Sequence, residues 1–198
     1  MLGMERPPRL TETNSSERAT MHGPIMQLGY VVGDLALSAA HWSRSTGAGP
    51  FFHMPVVAFE GWTFQGAPQP LILNFAFAQM GDKLLELVEP VGPWPNVFGD
   101  HPLAPGECRP HHYAFLVDDL DKAAAHLDAG DPVVTASISA AAGLRFYDCR
   151  SALGMHIELV TDCADTRAFF DLAADAAQGW EGSGPLLRQL PGAEDLAS

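Results

Sequence analysis

Apolar positions dominate "IMQLGYVV" (25–32) and again "HHYAFLV" (111–117), and both runs are rich in β-branched and aromatic residues. That pattern predicts strands. Each run leads into an Asp and then an Ala/Leu-rich stretch with helical spacing, so Asp34 and Asp119 are the expected N-caps. The two passages keep register at a separation of 85 positions, with Val32 matching Val117, Leu35 matching Leu120, and Ala39-Ala40-His41 matching Ala124-Ala125-His126. A second rhyme, "KLLELV" (83–88) with "MHIELV" (155–160), keeps register at 72 positions and predicts two strands centred on Glu-Leu-Val.

Between these landmarks, "PLILNFAFAQ" (70–79), "DPVVTAS" (131–137) and "LRFYDC" (144–149) read as further strands, with Gly81-Asp82 as a hairpin turn. The pattern is βαβββ written twice, at about 25–92 and 108–162, an α+β arrangement in which neither module closes its own sheet. The expected fold is therefore one sheet that both tandem modules close together, followed by a C-terminal helix. That helix is expected over 165–180, with Phe169, Leu172, Ala173 and Ala176 forming its apolar face. Residues 1–24 are polar and aperiodic and read as a leader outside the 25–162 domain; 163–198 supply the helix and a tail in which Pro185-Leu186-Leu187 is the piece able to pack.

Composition narrows the function. The chain has 198 residues, 47% of them hydrophobic, which suits one compact unit. Its 24 acidic against 11 basic residues give a net charge of -13, which repels phosphate backbones and anionic membrane surfaces, so neither nucleic acid nor membrane is an expected partner. Cys108, Cys149 and Cys163 are odd in number and lack a CxxC spacing, which argues against a disulfide framework and a thiolate zinc site and fits a reducing cytoplasm.

Strand alternation sharpens the chemistry, because it places Leu84, Glu86 and Val88 on one face, and likewise His156, Glu158 and Val160. The first strands put Gln27 and His112 at matching places. Taken singly, a strand Glu is commonly an exposed edge residue and a lone His a satisfied core group. Together, two carboxylates facing inward without a partner would cost several kcal/mol, roughly, and raise each other's pKa. A divalent cation removes that cost, and one His, two Glu and one Gln suit Zn, Mn, Fe, Co or Ni without choosing among them.

The paired modules, "HHYAFLVDDLDKAAAHL", "FAQMGDKLLELVEP" and "GMHIELV" resemble the vicinal oxygen chelate superfamily, the group of glyoxalases, bleomycin-resistance proteins and extradiol dioxygenases, over roughly residues 25–162. The resemblance implies a cupped mixed sheet around a metal site, with metal ligands on the first and last strands of each module, which fall on Gln27, Glu86, His112 and Glu158. This set is similar to that of glyoxalase I, on a scaffold similar to methylmalonyl-CoA epimerase. It implies a metal-dependent isomerase, epimerase or related lyase, with Glu86 and Glu158 as ligands that also carry the proton of a metal-stabilised enolate, Glu158 as the base, and a homodimer.

The chain departs from glyoxalase I in having "YDCRSALGMHIEL" before its last Glu and few cations, so a glutathione adduct is not the expected substrate. Phe51, Phe52, Trp62, Phe64, Phe75 and Phe77 instead predict an apolar pocket wall for a hydrophobic carbonyl or thioester. Arg145 and Arg150 are candidate anchors for an acidic group, and His53 and His156 candidates for supporting or relaying protons at the site. Two alternatives stand beside this reading. A non-haem iron dioxygenase would need a two-His-one-carboxylate triad where Gln27 stands, and a metal-free small-molecule binding protein would have no use for four aligned donors.

Overall fold

The computed structural model describes residues 23–59 and 61–191; the expected leader falls almost wholly outside them, as do the last seven residues of the tail. The first module runs β1 (Gln27–Val32), α1 (Leu35–Thr46), β2 (Phe51–Phe59), a small hairpin of β3 (Thr63–Phe64) and β4 (Ala67–Pro68), β5 (Leu71–Met80) and β6 (Lys83–Gly92). The second runs β7 (Cys108–Val117), α2 (Leu120–Ala124), β8 (Val134–Ser137), β9 (Gly143–Cys149), the single turn α3 (Arg150–Leu153) and β10 (Met155–Thr161). Helix α4 (Ala164–Ala177) and the short strand β11 (Leu187–Gln189) complete the chain.

All strands join one mixed sheet in the order β11-β2-β5-β6-β1-β7-β10-β9-β8-β3-β4. The two modules meet at an antiparallel β1–β7 pair, flanked by β6 parallel to β1 and β10 parallel to β7. The four strands expected to carry the polar donors are thus the four central strands of the sheet.

The sheet is strongly curled. Phe59 ends β2 near one end of the strand order, and Thr63 opens β3 near the other; four residues of chain span at most about 14 Å. The two ends of the sheet must therefore approach, and the β3–β4 hairpin crosses from the first module to pair with β8 of the second. This crossing has no counterpart in the period-two pattern of the sequence.

Each face of the bowl has its own core. On the convex side, Leu35 and Ala39 of α1 pack with Phe51, Ala76, Ala78, Leu85 and Leu87, and α2 covers Tyr147, Ile157 and Leu159. Both helices start as expected: Asp34 accepts from Leu37 N at 2.8 Å, and Asp119 accepts from Asp121 N and Lys122 N, each at 3.0 Å. Helix α2 is one short turn where α1 has twelve residues, so the matching Ala-Ala-His passages do not build matching helices.

The concave side holds the larger core, including Phe52, Trp62, Phe75, Phe77, Phe98 and Phe146. Helix α4 lays Phe169, Leu172, Ala173 and Ala176 into it, with Ala173 fully buried. The apolar stripe of α4 thus matches expectation, while its length is shorter than the predicted 165–180. Beyond it Leu187–Gln189 pairs in parallel with Phe51–His53, so the tail segment does pack as an arm. The three cysteines are free, and no described helix is long and apolar enough to cross a membrane.

Candidate active site

Register decides which side chains meet in the bowl. Gly29 faces Glu86 across β1–β6 and His112 across β1–β7; His156 faces His112, and Glu158 faces Ala114, across β7–β10. The four candidate donors converge on one atom. His112 Nε2 lies 3.3 Å from Gln27 Nε2, 3.3 Å from Glu86 Oε2 and 3.2 Å from Glu158 Oε2. His112 is wholly buried, while the Glu86 side chain is 18% exposed against 8% for Glu158, so solvent reaches the cluster from the first module's side.

Gly29 makes this possible. A Cβ there would overlap the Cε1, Nδ1 and Nε2 atoms of His112, so the imidazole lies flat over a position that only glycine leaves open. The equivalent residue of the second module, 85 positions on, is Ala114, which pairs with Gln27 and Glu158.

The electrostatics follow from burial. Glu158 is pushed up to about 7, first by burial; His112 pulls it down and Glu86 raises it again. His112 is itself raised: burial opposes its charge, but Glu158 and then Glu86 outweigh it. His156, beside His112 on β10, is lowered by burial and then by Arg150, and its Nδ1 is buried without a hydrogen-bond partner among the described residues. Next to it on β9, Asp148 accepts from Arg150 Nε at 2.8 Å and Nη2 at 2.6 Å, and these two residues with Ser151 line an open cleft of about 490 Å3.

Among the described residues no three His, Cys, Asp or Glu side chains are spread as a formed metal cage, since the donors lie against one another. Their chemistry nonetheless fits a divalent cation. Two carboxylates, an imidazole and an amide lie around one small volume, one carboxylate is held above its ordinary range first by burial, and the His112 nitrogen facing them is Nε2, its Nδ1 being engaged by the His111 side chain.

The aromatic candidates divide. Phe52, Trp62, Phe75 and Phe77 belong to the concave core and Phe64 packs against it. Phe51, His53 and Arg145 are corrections to the expected pocket. Phe51 is buried on the convex side against α1; His53 sits on that same side, 2.6 Å from Asn74 Oδ1, with Asn74 in turn bonded to Glu89. Arg145 bonds Asp121 at 2.7 Å. Each lies one residue from an inward-facing neighbour, and strand alternation turns it away from the bowl.

Sequence reasoning missed His111. Between Gly29–His112 and Tyr30–Pro110 the β1–β7 register slips by one, leaving His111 as the extra residue of a β-bulge. A bulge breaks the alternation, so His111 turns inward with His112 and its ring packs on Phe98, Phe146 and His156. The doubled His directly after Pro110, in a strand otherwise in register, was the available signal.

Two paired βαβββ modules with donors on their four central strands define a vicinal-oxygen-chelate type of scaffold. Residues 26–147, more than half of the chain, match the family model described as Glyoxalase/Bleomycin resistance protein/Dioxygenase superfamily, and the chain belongs to that superfamily. No curated protein matches. Among solved structures, a Streptomyces coelicolor methylmalonyl-CoA epimerase variant in complex with 2-nitronate-propionyl-CoA is similar at 20% identity and TM-score 0.44, covering 72% of this chain and 99% of its own. Methylmalonyl-CoA epimerase from Mycobacterium tuberculosis is similar at 15% identity and TM-score 0.45, covering 75% and 93%.

Proposed function

We propose that the chain is a metal-dependent epimerase or isomerase that moves a proton at the carbon next to the carbonyl of a hydrophobic carbonyl or thioester substrate. The observation that carries this reading is the pair of carboxylates, Glu86 and Glu158, delivered by equivalent strands of the two modules to within 3.3 Å and 3.2 Å of one imidazole nitrogen. Two bases on either side of a planar intermediate are what an exchange of configuration requires.

A divalent cation held by Gln27, Glu86, His112 and Glu158 would supply polarisation of the substrate carbonyl and so acidify the adjacent C–H. Glu158, the more deeply buried carboxylate, takes that proton on one face. Glu86, nearer solvent, returns one on the other. Gln27 is neutral and contributes an amide without adding charge. The apolar wall of Phe52, Phe75 and Phe77 excludes water from the carbanion and seats the substrate's hydrocarbon part. The site is complete within one chain, so the homodimer we also propose is not needed to assemble it.

The test is deuterium uptake from heavy water at the α-carbon of a panel of acyl thioesters, methylmalonyl-CoA among them, by metal-loaded protein. The reading expects uptake that falls about 100-fold or more in Glu158→Gln. Oxygen consumption without exchange would replace it with a dioxygenase, and tight binding without either reaction would leave a binding protein.

A further inference from the structure

The bulge that turns His111 inward also builds a directed hydrogen-bond chain. His111 Nε2 is 2.9 Å from the carbonyl oxygen of Val97, and His111 Nδ1 is 2.9 Å from His112 Nδ1. A carbonyl only accepts, so His111 Nε2 carries a proton and donates it. His111 is buried among the rings of Phe98, Phe146 and His156, where no carboxylate of the described residues pairs with it, and a ring whose single proton sits on Nε2 has a bare Nδ1. His111 Nδ1 is therefore an acceptor, and His112 Nδ1 must be the donor facing it.

We propose that His111 is a positioning residue that locks His112 in its Nδ1–H form, so that the Nε2 lone pair is the one presented to Gln27, Glu86 and Glu158. Left alone, a neutral imidazole exchanges its proton between the two nitrogens; here the Val97 carbonyl, two residues of chain and one bulge determine which nitrogen stays bare. The rings of Phe98 at 4.7 Å and His156 at 4.5 Å fix the plane of His111, so the acceptor cannot swing away. The linker between the modules thereby acts on the site without touching it: Val97 and Phe98 lie outside both repeats.

The inference rests on the proposed site only for what the Nε2 lone pair is used for; the tautomer itself is a property of the metal-free protein. It is tested by long-range proton–nitrogen correlation spectra of histidine-labelled, chelator-treated protein in alkaline buffer, with His112→Asn identifying the signals. The expected result is a protonated Nδ1 and bare Nε2 on His112 in the wild type. His111→Phe is expected to lose that pattern, and His111→Asn, whose Oδ1 can accept from His112 Nδ1, to restore it. Binding of Zn2+ or Mn2+ alone, measured by calorimetry, is expected to weaken about 10- to 100-fold in His111→Phe and to recover in His111→Asn.

A wild-type His112 with its proton on Nε2, or an unchanged tautomer in His111→Phe, overturns the proposal. If His111→Phe does not fold, the wild-type spectrum decides alone. A locked tautomer together with no deuterium uptake at any thioester would sink the proposed reaction and leave this inference standing.

Discussion

The ring of Phe169 in α4 lies 3.8 Å from that of Phe77 in β5, and Phe77 is the direct cross-strand partner of Glu86. The C-terminal helix therefore reaches the wall of the candidate site and sets how much room the bowl offers. Phe169→Ala removes the ring that packs on Phe77. Because Phe169 is only half-buried, the expected loss of stability is about 1–3 kcal/mol, below the ~3–5 kcal/mol of a fully buried Phe. The informative readout is the ratio of kcat/KM for a long-chain over a short-chain acyl thioester. It should rise in Phe169→Ala if α4 bounds the acyl end of the site, and stay constant if the acyl group lies elsewhere.

Gly29 under the His112 ring makes a second prediction. Gly29→Ala forces the imidazole to shift, and His112 is fully enclosed, so overpacking should cost about 1–3 kcal/mol and displace Nε2 from the carboxylates. The equivalent change in the second module, Ala114→Gly, removes a buried methyl from a strand and should cost about 1 kcal/mol without moving the ring. Chemical denaturation gives the stabilities, and titration with Zn2+ separates the two: binding is expected to weaken at least tenfold in Gly29→Ala and to change little in Ala114→Gly.

Much of this was legible in the chain because burial on one face of a strand imposes period two. Gln27, Glu86, His112 and Glu158 stand in register with apolar neighbours, and the structure brings all four to one nitrogen. Asp34 and Asp119 were legible as caps because a short side-chain acceptor before a helical stretch has a local partner. What stayed hidden depends on longer-range geometry. His111 needed a one-residue slip that period two does not announce, and only the doubled His after Pro110 hinted at it. Phe51 and Phe52 are adjacent and both buried, so composition could not say that they serve different cores. The stripe on α4 showed that the helix must bury one face, while the concave side of the sheet as its destination is a fact of topology.

The helix caps carry a third prediction. Asp34→Ala removes the acceptor for Leu37 N at the start of a twelve-residue helix over the convex core, and should cost about 1 kcal/mol. At this same helix start Leu35 N keeps Glu89 at 3.3 Å as a second acceptor. Asp119→Ala removes the acceptor for both Asp121 N and Lys122 N of a five-residue helix. Protection from amide exchange should therefore fall further across α2 in Asp119→Ala than across α1 in Asp34→Ala, despite the shorter helix. Equal losses would mean that packing, not capping, holds α2.

The last prediction concerns pH in the absence of metal. Glu158 ordinarily titrates near 4.5 and is pushed up to about 7 in the folded chain, first by burial. A carboxylate raised on folding binds its proton more tightly in the native state, so its contribution is intact below about pH 4.5 and is lost as pH rises through about 7. Chelator-treated wild type should lose stability relative to Glu158→Gln across that interval, by on the order of a few kcal/mol, since the amide has no charge to bury. Excess divalent cation should remove the difference by giving the ionised carboxylate a partner. Urea denaturation of both proteins at a series of pH values, with and without Zn2+, checks this. A difference that stays flat with pH would mean that the Glu158 carboxylate reaches solvent on ionising, and that the buried pair with Glu86 does not need a cation.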